Sequence, residues 1–168
     1  SLSSTISAMA AFSLRRHPQC ATFLVAQTRC LATRALEGFR VLELASVLAG
    51  PSVGQFLAEL GADVIKVENK RTQGDVTRGW RLVGESKEGA SAYFSTCNMG
   101  KRSIAVDAGS LRGRDICQRL AKVSDVVVAS YKPGDAEKFG LDAVTLREQN
   151  SRLVYAQVTG YGLEDKRV

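Results

Sequence analysis

Residues 125–129 (DVVVA) form a nearly all-apolar run of strand length, rich in β-branched side chains. A strand that is apolar on both faces must be buried on both, and a parallel sheet covered by helices provides that environment. The flanking sequence supplies the rest of such an architecture. Arg40–Leu44 (RVLEL) reads as a strand, followed by the turn Ala49-Gly50-Pro51. A helix is expected over residues 52–60, where Val53, Phe56, Leu57 and Leu60 recur at i, i+3, i+4 and i+7 and predict its inward face. Gly61 is placed to end that helix, and Asp63–Glu68 (DVIKVE) reads as the next strand. Such βαβ units are parallel with a right-handed crossover. A polar, glycine-rich excursion follows, from Asn69 to about Asn98, with Trp80 as its large anchor and a short helix around residues 90–96. The alternation then resumes: a strand over 102–107, a helix over 110–123 with Ile116, Leu120 and Val123 inward, and the apolar strand 125–129. A short helix over 142–149 and a strand over 153–158 complete it. The expected fold class is α/β, an open, mostly parallel Rossmann-like sheet with flanking helices.

Charge distribution narrows the partners. The 168 residues include 23 Lys or Arg and 17 Asp or Glu, a net of +6. Four of the cations, Arg15, Arg16, Arg29 and Arg34, fall in residues 1–36, where no acid occurs. Residues 37–168 therefore carry 19 basic against 17 acidic side chains, a net of +2. So small a balance gives no field for a polyanion, and no basic stripe interleaved with aromatics is present, so nucleic acid is not an expected partner. No run of eighteen apolar residues occurs, so no membrane-spanning segment is expected. Residues 1–36 are rich in Ser, Ala and Thr and dotted with Arg. That composition predicts a mitochondrial transit peptide and a matrix location, with a disordered tail as the plainer alternative. Cys20 and Cys30 belong to that leader, as does the one histidine, His17. Cys97 and Cys117 lack metal-ligand spacing and read as small buried hydrophobes, so no metal is expected.

Two local motifs bear on ligand binding. The first βα turn, Val47 to Gly54, lacks the G-x-G-x-x-G fingerprint of dinucleotide sites. Without it, Glu68 at the end of the second strand reads as a solvated strand end. More informative is Ser130-Tyr131-Lys132-Pro133-Gly134, which follows the most apolar strand. Ligands collect outside the carboxyl ends of parallel strands, and an aromatic ring with a lysine there suits a stackable base and phosphates. Lys138 adds a second cation nearby. The alternative is a turn with Tyr131 packed and both lysines solvated.

Taken in order, these blocks resemble the family III (CaiB/BaiF) CoA transferases. The similarity runs through Leu36 to Leu44, Val47-Leu48-Ala49-Gly50-Pro51, and Leu60 to Glu68. It continues through Gly74-Asp75-Val76-Thr77-Arg78-Gly79-Trp80, Gly100 to Asp107, Tyr131-Lys132-Pro133-Gly134, and Arg152 to Gly162. The resemblance implies a CoA-dependent acyl-transfer enzyme acting on an acyl-CoA and a small carboxylic acid, and the mitochondrial leader favours dicarboxylates such as succinate and glutarate. Residues 37–168 would be the N-terminal part of its CoA-binding domain, truncated, from an incomplete large domain. It implies CoA contacts at Val47, Leu48 and Ala49, and contacts to the nucleotide end at Ser130, Tyr131 and Lys132. Lys138 and Arg167 would sit at phosphates, and Val106, Asp107, Ala108 and Gly109 form a further contact stretch. Asn69 stands where such transferases often place Arg, Ser130 where Asn is usual, and Gly109 where Lys can occur.

The resemblance also implies a nucleophilic aspartate in a segment beyond Val168. Asp107, Asp125 and Asp165 read as strand-end or loop acids, and the chain by itself is expected to be inactive. The full-length parent is expected to form an interlocked homodimer. One alternative is an enzyme like the related α-methylacyl-CoA racemases. Another is a non-catalytic fragment that at most binds CoA.

Overall fold

The computed structural model describes residues 34–162. The leader assigned to residues 1–36 falls outside them except for its last three residues, and Asp165 and Arg167 also lie outside. From Leu36 onward the chain builds a five-stranded sheet in the order β3-β2-β1-β4-β5. The strands are β1 (Arg40–Leu44), β2 (Asp63–Glu68), β3 (Arg102–Ala105), β4 (Val126–Ala129) and β5 (Val154–Gln157). Every pairing is parallel, so the expected α/β class and open parallel sheet are observed. The helices are α1 (Ala49–Glu59), α2 (Ala92–Thr96), α3 (Leu111–Lys122), α4 (Asp135–Phe139) and α5 (Ala143–Gln149).

Alternation along the strands sorts side chains onto two faces. Leu42 and Leu44 of β1 join Val127 and Ala129 of β4 on the face covered by α3 and α5, whose Cys117, Ala121 and Leu146 complete the main core. Val41, Val64 and Val128 face the other way, against Ala58 of α1. Cys97 and Cys117 are both buried, as small apolar side chains are. Burial pushes the Cys117 thiol up to about 11.

Four sequence expectations are corrected. Helix α1 turns only part of its apolar stripe inward: Leu57 is half-buried against the second core, whereas Val53 and Phe56 are exposed. Its buried positions are Gly50, Pro51, Gly54 and Ala58. Missing side chains let the helix lie close to the sheet, since a Cβ on Gly50 would overlap Ala45 and one on Gly54 would overlap the Glu43 carboxylate. In α3 the inward residues are Gly113, Cys117 and Ala121, with Ile116 and Leu120 half-buried against the core, while Val123 is exposed at the helix end. Trp80 does not anchor the excursion: it is 49% exposed, its ring in an edge-type pair with Tyr93 at 5.2 Å between ring centroids. The excursion's buried residues include Asp75, Thr77, Ser91 and Phe94, tied by Ser91 Oγ donating to Thr77 O and accepting from Phe94 N. Glu68, finally, is buried rather than solvated.

Candidate functional site

In the strand order 3-2-1-4-5 the connections leave β1 and β4 in opposite directions, opening a crevice at the carboxyl ends of these two central strands. A cavity of about 390 Å³ occupies that position. Leu44, Ala45 and Ser46 form its floor where β1 ends, and Ser130 and Tyr131 form the side where β4 ends. Val106, Asp107, Ala108 and Gly109, which follow β3, close the opposite side. Six of the sequence-predicted site residues thus converge on one cavity.

Other predicted residues lie elsewhere. Val47, Leu48 and Ala49 follow Ser46 in the chain but do not line the cavity, and Leu48 and Ala49 are exposed. Lys132 borders a separate depression with Asp142 and Tyr155. Lys138 is exposed and pairs with Asp135 one turn earlier, at 3.0 Å. The remaining lining residues were not among the predicted contacts, and Asn69, Arg71 and Phe139 are those that come from outside the β1 and β2 strands and the turn after β1. Phe139 ends α4 and packs edge-on against Tyr131, with centroids 5.7 Å apart. Burial holds the Tyr131 hydroxyl above the ordinary phenol range, so the ring is a neutral wall. The exposed Arg71 guanidinium reaches Asp107 Oδ2 at 2.8 Å, and Asp107 Oδ1 accepts from Gly109 N at 3.0 Å. The cavity therefore combines an aromatic wall with a cation at its mouth.

Beneath the β1–α1 turn lies a buried group of charges. Lys66 Nζ contacts Glu43 Oε1 at 2.9 Å, Asp75 Oδ2 at 3.0 Å and the Ala45 carbonyl at 2.8 Å. Lys101 Nζ sits 2.6 Å from Glu43 Oε2, an ion pair without hydrogen-bond angles. It donates instead to Pro51 O and Asn98 Oδ1. Burial lowers the Lys101 pKa against the opposing pull of Glu43. At the end of β2, Arg78 grips Glu68 through Nε at 2.7 Å and a terminal nitrogen at 2.6 Å, and also lies 3.9 Å over the Phe94 ring. Burial alone would raise the Glu68 pKa, but Arg78, Ser103 and the Asp75 amide reverse it and bring it down to about 2. Asp75 is likewise lowered: burial opposes ionisation, but the Thr77 amide, Lys66 and the Thr77 hydroxyl outweigh it. The three carboxylates Glu43, Glu68 and Asp75 match the three cations Lys66, Arg78 and Lys101, so the group is neutral as a set. A faint signal for it existed in the sequence. Glu43 and Lys66 interrupt apolar strands at positions that become register partners.

Among the described residues, no cluster of His, Cys, Asp and Glu could hold a metal ion, and no helix is long and apolar enough to cross a membrane. A sequence profile of CoA-transferase family III matches residues 36–167. The chain belongs to that family. It is 47% identical to the succinate–glutarate CoA-transferase of Agrobacterium fabrum, over 76% of this chain and 32% of that protein. It is 42% identical to a formyl-CoA:oxalate CoA-transferase of Streptomyces avermitilis, over 77% of this chain and 31% of that protein. The crystal structure of a CaiB/BaiF family protein from Brucella suis superposes with a TM-score of 0.74 at 45% identity, covering 79% of this chain and 35% of that one. The chain spans about a third of the length of these curated relatives.

Proposed function

We propose that the protein of which this chain forms part transfers CoA between an acyl-CoA thioester and a small carboxylic acid, and that the cavity at the ends of β1 and β4 receives CoA. The observation that carries this reading is the convergence of Ser46, Val106, Asp107, Ser130 and Tyr131 on the switch-point cavity of a family III member. Tyr131, backed by Phe139, offers a face for the adenine ring, and Arg71 a cation for a phosphate. Val47, Leu48 and Ala49, in the turn just after Ser46, are further contacts, and Lys132, Lys138 and Arg167 serve a phosphate tail that leaves the cavity. Succinate and glutarate, named for the Agrobacterium relative, are the first acids to test.

The chemistry needs a carboxylate nucleophile. It attacks the thioester carbonyl and expels CoA thiolate, leaving a mixed anhydride. The thiolate then attacks the enzyme's carbonyl, freeing the first acid and leaving an enzyme thioester. The acceptor carboxylate displaces thiolate again, and the returning thiolate carries off the acceptor as its CoA thioester. Two described acids are poorly placed for this. Asp107 is tied to Arg71 and the Gly109 amide. Asp125 accepts from Arg40 N, just before β4, at the end of the sheet opposite the cavity. From the family resemblance we read the nucleophile as lying beyond Val168 and this chain as a CoA-binding, inactive part of a homodimeric enzyme. We read residues 1–36 as a leader to the mitochondrial matrix.

Calorimetric titration of CoA into the chain tests the cavity. Tyr131→Ala should weaken binding about tenfold, within the range of one base stacked on an aromatic ring. An unchanged affinity would remove Tyr131 from the site. Exchange between succinyl-CoA and glutarate, followed by chromatography of the thioesters, tests the reaction in the native protein that carries this segment. Light scattering of that protein tests the dimer, and import into isolated mitochondria tests the leader.

A further inference from the structure

The β1–α1 turn is held in a conformation that its residue type disfavours. Val47 sits at φ 71°, and among the described residues only Gln73 is another non-glycine at positive φ. A β-branched side chain resists that region of backbone space. Opposing that resistance is a buried carboxylate from 28 residues along the chain: Val47 N–H donates to Asp75 Oδ2 at 3.2 Å. On its other side the Val47 carbonyl accepts from Cys97 Sγ at 3.5 Å. Asp75 is itself fixed by Thr77 N at 3.1 Å, Thr77 Oγ1 at 2.8 Å and Lys66 Nζ at 3.0 Å. Lys66 also donates to the carbonyl of Ala45, two residues before Val47. One carboxylate and one cation thus fasten the turn on either side of Ser46, which borders the cavity.

We propose that Asp75, braced by Lys66, is a positioning residue for CoA binding: it holds Val47 in the left-handed conformation and so presents the turn from Ser46 to Ala49 to the ligand. The proposal rests on reading the cavity as the CoA site. Asp75 is buried beneath the turn and does not line the cavity, so it acts through the turn and chiefly through Val47. Without its acceptor, Val47 relaxes toward negative φ and the rim of the cavity changes shape.

A double-mutant cycle isolates this role from general support of the fold. CoA affinity is measured calorimetrically for the unaltered chain, Asp75→Asn, Val47→Gly and the pair combined. Asparagine keeps the shape of Asp75 but loses the charge and one acceptor. In the Val47 background, Asp75→Asn should raise the CoA dissociation constant about tenfold, a factor in keeping with the strain of one disfavoured backbone conformation. With Val47→Gly, which adopts positive φ freely, the same change should cost only about twofold. An equal loss in both backgrounds, or no loss, overturns the proposal while the cavity reading stands. Failure of the unaltered chain to bind CoA overturns both. Should Asp75→Asn not fold, hydrogen exchange on the unaltered chain decides: the Val47 amide should exchange as slowly as those within β1. Fast exchange at Val47 would mean that the carboxylate does not hold it.

Discussion

Leu42 and Glu43 are neighbours in β1, both fully shielded from water, and they face opposite sides of the sheet. Leu42 enters a core of aliphatic and small side chains beneath α3 and α5. Glu43 enters a set of charges beneath α1, between Lys66 and Lys101. Equal burial has different physical meaning on the two faces. Apolar packing loses stability in proportion to the atoms removed, because each methylene contributes its own transfer and contact energy. A charge set is supported only as a whole, because removing one member leaves another buried without its counter-charge. The apolar face therefore tolerates graded change, whereas the charged face should respond steeply to single substitutions.

The sharpest test is Lys66→Met, which deprives Asp75 of its cation and the Ala45 carbonyl of a donor. It should lower stability by about 4 kcal/mol in urea unfolding, more than any single truncation on the apolar face. Leu42→Ala should cost about 3 kcal/mol, and Leu42→Val under about 1.5 kcal/mol, which would reveal the graded response. A Leu42→Val loss as large as that of Leu42→Ala would break the contrast. Glu68→Gln should cost about 2 kcal/mol at neutral pH by weakening the charge-assisted bonds from Arg78. Its pH dependence has a definite sign. The folded pKa of about 2 lies below the ordinary 4.5, so the contribution is complete above about pH 4.5 and is lost as pH falls toward 2. The unaltered chain should therefore lose stability more steeply than Glu68→Gln across that window, and parallel curves would refute it. Gly54→Ala should cost about 1 kcal/mol, since overlap with Glu43 outweighs the helix-propensity gain. Phe56→Ser, on the exposed side of the same helix, should change stability by less than about 0.5 kcal/mol. A larger effect would return Phe56 to the interior where its sequence spacing had placed it.

The strands, and the helices other than α4, emerge from the sequence to within a few residues because their signals are local. Residues 125–129 are apolar on both faces whatever surrounds them, and Asp142, placed at the start of the short helix over 142–149, is the residue that caps α5. The cavity was half legible for the same reason: Ser130 and Tyr131 follow a buried strand, and strand ends in a parallel sheet share one edge. Arg71 and Phe139 were not legible, because each reaches the cavity from a segment that periodicity does not place. The inward face of α1 was misread because spacing counts apolar residues and cannot register how closely a glycine face lets a helix approach.

By itself, then, the sequence determined the order of the strands and of every helix but α4, their parallel arrangement and the blocks that mark the family. Periods of two and 3.6 residues, and short motifs, are properties of neighbours along the chain. Only the tertiary structure decided which side of α1 is buried and that Glu43, Lys66, Asp75 and Lys101 meet beneath the Val47 turn. Burying a charge depends on counter-charges brought from distant segments, and strand register together with the return of the 69–98 excursion supplies them.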